Sequence, residues 1–262
     1  TMEIHGYCDE RFHSLRDEFE RNFAERGDVG ASFAASIEGE IIVDIWGGHR
    51  DEALTLPWQE DTIVNVMSTT KTMTALSALI LIDRGELDID DKVSKYWPEY
   101  AQNGKQDTLV KHFMGHTAGL PGFGEQLTEA ELYDWASVIS VLERQEPWYE
   151  PGTICAYHAI TQGYLVGELV RRITGISLGT FFRQQVAERV GADFHIGLDP
   201  SEFERTAEII QGGPMKIPDD YVIPDFYSGR VDGTPEINQK TWNGPGWRQA
   251  ESPAVNGHAN AR

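Results

Sequence analysis

The stretch that decides the fold is "NVMSTTKTMTALSALILIDRG", Asn65 to Gly85. It is apolar on nearly all sides (Met73, Ala75, Leu76, Leu79, Ile80, Ile82) and stops at Gly85, which predicts a buried central helix beginning at Ser68. Lys71 stands three residues after Ser68 at the mouth of that helix. Residues at i and i+3 share a helix face, so the amine can reach back over the hydroxyl. Helix N-terminal amides favour negative charge developing at Ser68. An amine crowded against apolar surface loses its proton more easily, which suits a base for serine. The plain alternative is an N-cap serine followed by a solvated lysine. By chance alone a Ser-x-x-Lys spacing arises about once in a chain of this size.

Outward from this helix, residues 9–27 place Phe12, Leu15, Phe19 and Phe23 on one face, an amphipathic helix closed by Gly27. Two short runs, Ser32 to Ile37 and Glu40 to Trp46, flank Glu38-Gly39 and predict a β-hairpin. Helical patterns return in "TLVKHFMGHTAGLPGFG", "SVISVLERQEPWYEPGT", "AITQGYLVGELVRRITG" and "SLGTFFRQQVAERVG". From Ala192 to Arg262 periodicity fades. Helix, hairpin, many helices and then irregular chain make an α+β design.

Rival sites are weaker. "GISLG", Gly175 to Gly179, matches the Gly-x-Ser-x-Gly nucleophile elbow, which works only on a turn from strand to helix. Here a helical pattern precedes Ser177, so the serine is expected to cap the next helix. His112 and His116 stand at i, i+4, but Gly115, Gly119 and Pro121 break the helix around them, favouring hydrogen bonds inside a turn. There is no zinc-ligand spacing and no glycine-rich phosphate loop, so neither metal nor cofactor is expected. Trp46, Trp97, Trp148 and Tyr149 read as core or cleft wall. A second hydroxyl strengthens Ser68. Tyr157 follows a Pro-Gly turn and precedes a helix, where a tyrosine can project from a loop.

With these residues in place, the chain resembles the serine β-lactamase-like, penicillin-recognising hydrolases, in the class C-like branch that includes the family VIII carboxylesterases. The resemblance rests on "MSTTKTMTALSALILIDRGELDIDDKVSKYWPEY", "TLVKHFMGHTAGLPGF" and "YEPGTICAYHAITQGYLVGELVRRITGISLGTFF", covering residues 28 to 200 in the family's order. It implies a β-lactamase/transpeptidase-like fold, an antiparallel sheet flanked by helices plus a mostly helical region. It also implies Ser68 as acylated nucleophile, Lys71 as proton acceptor and Tyr157 as proton relay. The lactamases of this family carry an asparagine two residues after the tyrosine. Here the triplet is Tyr157-His158-Ala159, which weakens amide recognition and favours small esters. A further motif, on a strand that supplies half of the oxyanion hole, has no counterpart before "SPAVNGHANAR".

The expected function is therefore a serine carboxylesterase on short-chain esters. A β-lactamase or D-alanyl peptidase, or a non-catalytic ligand-binding or assembly protein on the same fold, are the alternatives. The expected organisation is one incomplete domain: 1–67 helix and hairpin, 68–200 helical with both motifs, 201–262 irregular. C-terminal strands are missing, to be supplied by a second polypeptide or a further segment, because a lone hairpin is marginal in water.

Composition bounds the partners. The 262 residues hold 40% hydrophobic and 24% charged side chains, ordinary for a globular chain. Net charge is −20, from 22 basic and 42 acidic residues. Such a surface repels phosphate backbones and anionic lipid, so nucleic acid and membrane are not expected as partners. Two cysteines, Cys8 and Cys155, make no disulfide framework and fit a reducing compartment. Thr1 before Met2 reads as a cloning remnant. The first residues lack the pattern of a signal peptide, so the expected location is cytoplasmic.

Overall fold

The computed structural model describes residues 2–213 and 218–261. Thr1, residues 214–217 within the stretch expected to be irregular, and Arg262 lie outside the described residues.

The hairpin forms, slightly longer than expected. Strand β1 (Ile4–Cys8) precedes helix α1 (His13–Arg21), and β2 (Gly30–Ile37) and β3 (Glu40–Gly48) follow. Glu38 and Gly39 both take positive φ, 53° and 85°, the type I′ geometry whose twist matches that of paired strands. The sheet order is β1-β3-β2, all antiparallel. The sequence reading gave no strand at β1. Gly6 interrupts its pattern, and it must be glycine: a β-carbon there would stand 2.1 Å from the Asp44 carbonyl oxygen.

The predicted apolar face of α1 packs on this sheet, with Phe12, Leu15, Phe19 and Phe23 against Ile4, Ile42, Val43 and Ile45. The α-helix itself is shorter than residues 9–27. It widens into a π-turn over Asn22–Arg26 and closes on Gly27 at φ 83°. Among the described residues β2 pairs only with β3, so its outer edge is open.

The helices among the described residues that follow are α2 (Thr70–Asp83), α3 (Val110–Met114), α4 (Glu129–Tyr133), α5 (Trp135–Arg144), α6 (Thr161–Thr174), α7 (Leu178–Phe182), α8 (Glu188–Val190), α9 (Gln239–Asn243) and α10 (Pro245–Gln249). The core runs through Ala78 and Leu81 of α2, Val138 and Leu142 of α5, and Leu165, Val166 and Leu169 of α6, with Trp97, Tyr100, Phe113 and Trp247 filling between. Burying each large side chain contributes about 1.5–3 kcal/mol.

The central helix is α6, not α2 as expected. Every residue from Thr161 to Val170 is buried. Its buried carboxylate, Glu168, accepts from Arg171 Nε (2.7 Å), Arg172 Nε (2.6 Å) and Trp135 Nε1 (2.8 Å), the pairing that burial of a charge requires. Helix α2 instead leaves Leu79 52% exposed and buries Thr70, Thr74, Ser77, Ala78 and Leu81. Its small hydroxyl side chains face backbone rather than oil. Thr70 Oγ1 donates to the Met67 carbonyl (2.6 Å) and accepts from the Gly257 amide (2.8 Å), and Thr74 Oγ1 donates to the Pro253 carbonyl.

That backbone belongs to residues 251–257, a strap laid between α2 and α6. It ends in a second small sheet of order β4-β6-β5, made of β4 (Val64–Asn65), β5 (Phe194–Ile196) and β6 (Gly257–Ala259). Asn65 ties the two regions together: its Nδ2 donates to the carbonyls of Val255 and Gly257, both at 2.9 Å. The polypeptide leading into Ser68 and the polypeptide closing the chain are thus one unit.

Candidate active site

Ser68 sits in a single 3-10 turn, Met67–Thr69, that leads directly into α2. The residue before it, Met67, holds φ at 46°, a left-handed conformation that costs a non-glycine residue roughly 1–3 kcal/mol. That turn already satisfies the first amides of the helix: the Thr69 N–H donates to the Val66 carbonyl at 3.1 Å and the Thr70 N–H to the Met67 carbonyl. Ser68 is exposed, and Lys71, in the first turn of α2, is half-buried.

Besides Tyr157, the Lys71 amine meets three groups. Nζ lies 3.2 Å from Ser68 Oγ, 2.7 Å from the Ala159 carbonyl and 3.0 Å from the Ala254 carbonyl. Carbonyl oxygens only accept, so two N–H bonds are committed to them. In the neutral amine the position left over is the lone pair, on the side of the Ser68 and Tyr157 hydroxyls. Burial lowers the Lys71 pKa below the ordinary lysine range, against an opposing pull from Tyr157. The geometry thus favours an amine that takes the serine proton.

Tyr157 stands on the loop before α6, 52% exposed, with its ring centroid 4.7 Å from Lys71 Nζ. Its hydroxyl meets both Ser68 and Lys71. Burial alone would raise its pKa, but the interactions with Ser68 and Lys71 outweigh that and bring it below the ordinary phenol range. The three expected residues are therefore together.

Two histidines hold the tyrosine loop. The His116 ring tilts onto Tyr157 with centroids 4.8 Å apart, and its Nδ1 accepts from the His158 amide at 3.1 Å. His158 is fully buried, with Nδ1 at 2.6 Å from the Ala156 carbonyl and Nε2 accepting from the Leu120 amide at 3.1 Å. One nitrogen must donate and the other accept, so the ring is neutral, and burial holds its pKa down at about 4. Burial, then the Lys71 charge, lowers His116 as well. His112 accepts from the Leu109 amide at 3.2 Å. The two i, i+4 histidines thus serve their turns, as expected.

Ser177 is an N-cap. Its oxygen accepts from the Thr180 amide (3.2 Å), and its hydroxyl donates to Glu251 Oε1 (2.6 Å). Helix α6 precedes it, so the elbow geometry is absent. A cleft of about 570 Å³ opens beside it, lined by Trp135, Glu168, Arg171 and Glu251 among others. None of Ser68, Lys71 and Tyr157 lines it. Ser68 and Tyr157 are exposed and Lys71 is half-buried between them.

Sequence reasoning missed the two carbonyls on Lys71, since backbone groups leave no mark in residue identity. It noted Ala159 only for the side chain it lacks. A signal existed for His158, the residue next to Tyr157.

A helical body and an antiparallel sheet, with a serine, a lysine and a tyrosine converging at the start of α2, define a β-lactamase/transpeptidase-like fold. The chain belongs to the Beta-lactamase family, whose profile matches residues 18–262. It is 36% identical over 212 residues to the esterase/beta-lactamase LipL of Mycobacterium tuberculosis, covering 79% of this chain and 48% of that protein. A family VIII carboxylesterase structure is 41% identical, with a TM-score of 0.89 over 98% of this chain and 68% of its own. A penicillin-binding protein homolog from Caulobacter crescentus is 37% identical, with a TM-score of 0.87 and the same coverages, 98% and 68%. The chain therefore spans about half the length of LipL. Among the described residues no helix is long and apolar enough to cross a membrane.

Proposed function

We propose that this chain carries the nucleophile of a serine carboxylesterase that acts through an acyl-enzyme on short-chain esters. Ser68 Oγ attacks the ester carbonyl carbon as its proton passes to Lys71 Nζ. The tetrahedral oxyanion is stabilised by the Ser68 amide and one further donor. As the intermediate collapses, Tyr157 gives its phenolic proton to the alkoxide, which leaves as the alcohol, and takes back a proton from the Lys71 ammonium, so that both groups are reset. Water then attacks the acyl carbon by the same proton route and releases the carboxylic acid. The observation that carries this reading is the Lys71 amine, held by the Ala159 and Ala254 carbonyls with its remaining position at Ser68. The experiment is mass spectrometry after a fluorophosphonate, with chromogenic ester turnover alongside. An adduct on Ser68 is expected, and an adduct elsewhere rejects the assignment.

The second reading, a β-lactamase or D-alanyl peptidase with the same residues, is favoured by the likeness to a penicillin-binding protein homolog. Ala159 argues against it, because its side chain offers no donor or acceptor for a substrate amide. Comparable kcat/KM for a penicillin and a short-chain ester would put that reading first. A non-catalytic binder would turn over neither.

We propose also that residues 1–262 form one domain completed by further strands, from another segment or a second polypeptide. The open edge of β2 supports this, as does the span of about half of LipL. Those strands would bring the second oxyanion donor, whose loss costs about 10²–10³ in rate.

A further inference from the structure

We propose that Glu251, anchored by Ser177, fixes the Ala254 carbonyl and through it the position of the Lys71 amine. Glu251 is a positioning residue for the reaction proposed above, and the inference rests on that reading. Its carboxylate sits at the start of α7. One oxygen accepts from Ser177 Oγ at 2.6 Å, the other from the Gly179 amide at 2.9 Å. Gly179 makes this possible, since a β-carbon there would stand 2.8 Å from the Glu251 carboxyl carbon.

From that anchor the strap runs straight into the site. Ser252 donates its amide to Asn256 Oδ1 (2.9 Å), Pro253 gives its carbonyl to Thr74, and Ala254 gives its carbonyl to Lys71 (3.0 Å). Consecutive Cα atoms are about 3.8 Å apart, so three residues leave little slack between anchor and amine. At its far end the strap is held by Asn65 and Thr70. Glu251 is the near-end fastening, and the only carboxylate on the strap. A partly buried carboxylate is costly to keep without a role. Here it explains why the serine of "GISLG" is present though it is no nucleophile.

Two electrostatic consequences follow. Burial raises the Glu251 pKa, opposed by Ser177, the Gly179 amide and the Arg183 charge. His195 and Asp199 border the same crevice, and Glu168 and Arg171 lie across the larger cleft. Lys71 is faced by Tyr157 from the loop before α6 and feels His116 from the loop after α3, while the strap offers it an uncharged carbonyl. Desolvation is the main force lowering the Lys71 pKa. A loosened strap admits water, and the pKa rises. Because Lys71 acts as a neutral base, the acid limb of kcat/KM then moves to higher pH.

The test compares kcat/KM against pH, for a chromogenic short-chain ester, in the full protein and its Glu251→Ala, Glu251→Gln and Ser68→Ala variants. Glu251→Ala should lose about 10- to 100-fold in kcat/KM, the scale of a misplacement near 1 Å, with its acid limb moved up in pH. Glu251→Gln, whose amide oxygen can accept from the same donors, should restore most of the rate and the limb. Should Glu251→Ala fail to fold, Ser177→Ala removes one donor only and should show a smaller shift in the same direction. An unmoved limb in a folded Glu251→Ala or Ser177→Ala protein overturns the positioning role. So does a loss that is the same at every pH and tracks the folded fraction. Turnover retained by Ser68→Ala, or a fluorophosphonate adduct away from Ser68 in the wild type, would instead reject the acyl-enzyme reading itself.

Discussion

Gly163 of α6 lies so close to Ala254 that a β-carbon on it would stand 2.3 Å from the Ala254 nitrogen and 2.6 Å from the Pro253 carbonyl carbon. The buried helix can carry the strap directly on its backbone only because this residue has no side chain. Gly163→Ala must push the strap away from α6, and the Ala254 carbonyl moves with it. Overpacking of this kind costs about 1–3 kcal/mol. Urea unfolding should report that loss, and kcat/KM for a short-chain ester should fall further than the folded fraction does. Unchanged turnover in a destabilised Gly163→Ala protein would separate the strap from the chemistry.

The two serines predict opposite outcomes. Ser68→Ala removes the group facing Lys71 and should abolish ester turnover, a loss on the order of 10⁶-fold where nucleophile and base act as a unit. Ser177→Ala removes a cap and one anchor bond, so its loss should stay within about tenfold, the cap itself being worth about 1 kcal/mol of stability. Initial rates on a chromogenic ester decide between them. A dead Ser177→Ala protein beside an active Ser68→Ala one would reverse the assignment.

Much of the site was legible because side-chain identity carried it. Ser68 and Lys71 are spaced by the helix repeat, and Tyr157 follows a Pro-Gly turn. The Glu38-Gly39 hairpin and the aromatic face of α1 were legible for the same reason. The exchange of roles between α2 and α6 was not. Thr70 and Thr74 count as polar in any hydrophobic pattern, yet both are fully buried with their hydroxyls on backbone atoms. Hydrophobic residues such as Leu79 then appear where burial was expected and exposure is found. Strand β6 is legible only through its partners, because Gly257, His258 and Ala259 carry no strand signal of their own.

Buried histidines give the fold an acid limit. His158 and His258 are both buried and neutral, each held at about 4 by desolvation first of all. The unfolded chain binds these protons near the ordinary imidazole value of about 6.5. Their folded-state values are depressed, so the stability is present above that pH and is lost as pH falls toward about 4. By linkage each contributes on the order of 3 kcal/mol across the span. His158→Gln, whose oxygen can still accept from the Leu120 amide, should flatten the fall of Tm between about pH 6.5 and 4. An unchanged slope would remove His158 from the account.

The open edge of β2 yields the last prediction. Phe33 pairs in register with Ile45, and antiparallel partners share a face of the sheet. Yet Ile45 is fully buried while Phe33 is 38% exposed, and Ile37 at the hairpin end is 49% exposed. The apolar layer that covers β3 therefore thins at β2, where the ladder also stops. An unpaired edge with apolar neighbours invites pairing with other chains. Residues 1–262 alone should accordingly associate as concentration rises, and the β2 amides not bonded to β3 should exchange with solvent quickly. In a preparation containing the completing strands, those same amides should be protected by a factor of 10² or more, on the order expected when local opening costs about 3 kcal/mol. Hydrogen exchange resolved to β2, run on both preparations, makes the comparison. Equal and fast exchange of these amides in the two would mean that the added strands pair elsewhere, and β2 would then be a true edge of the finished sheet.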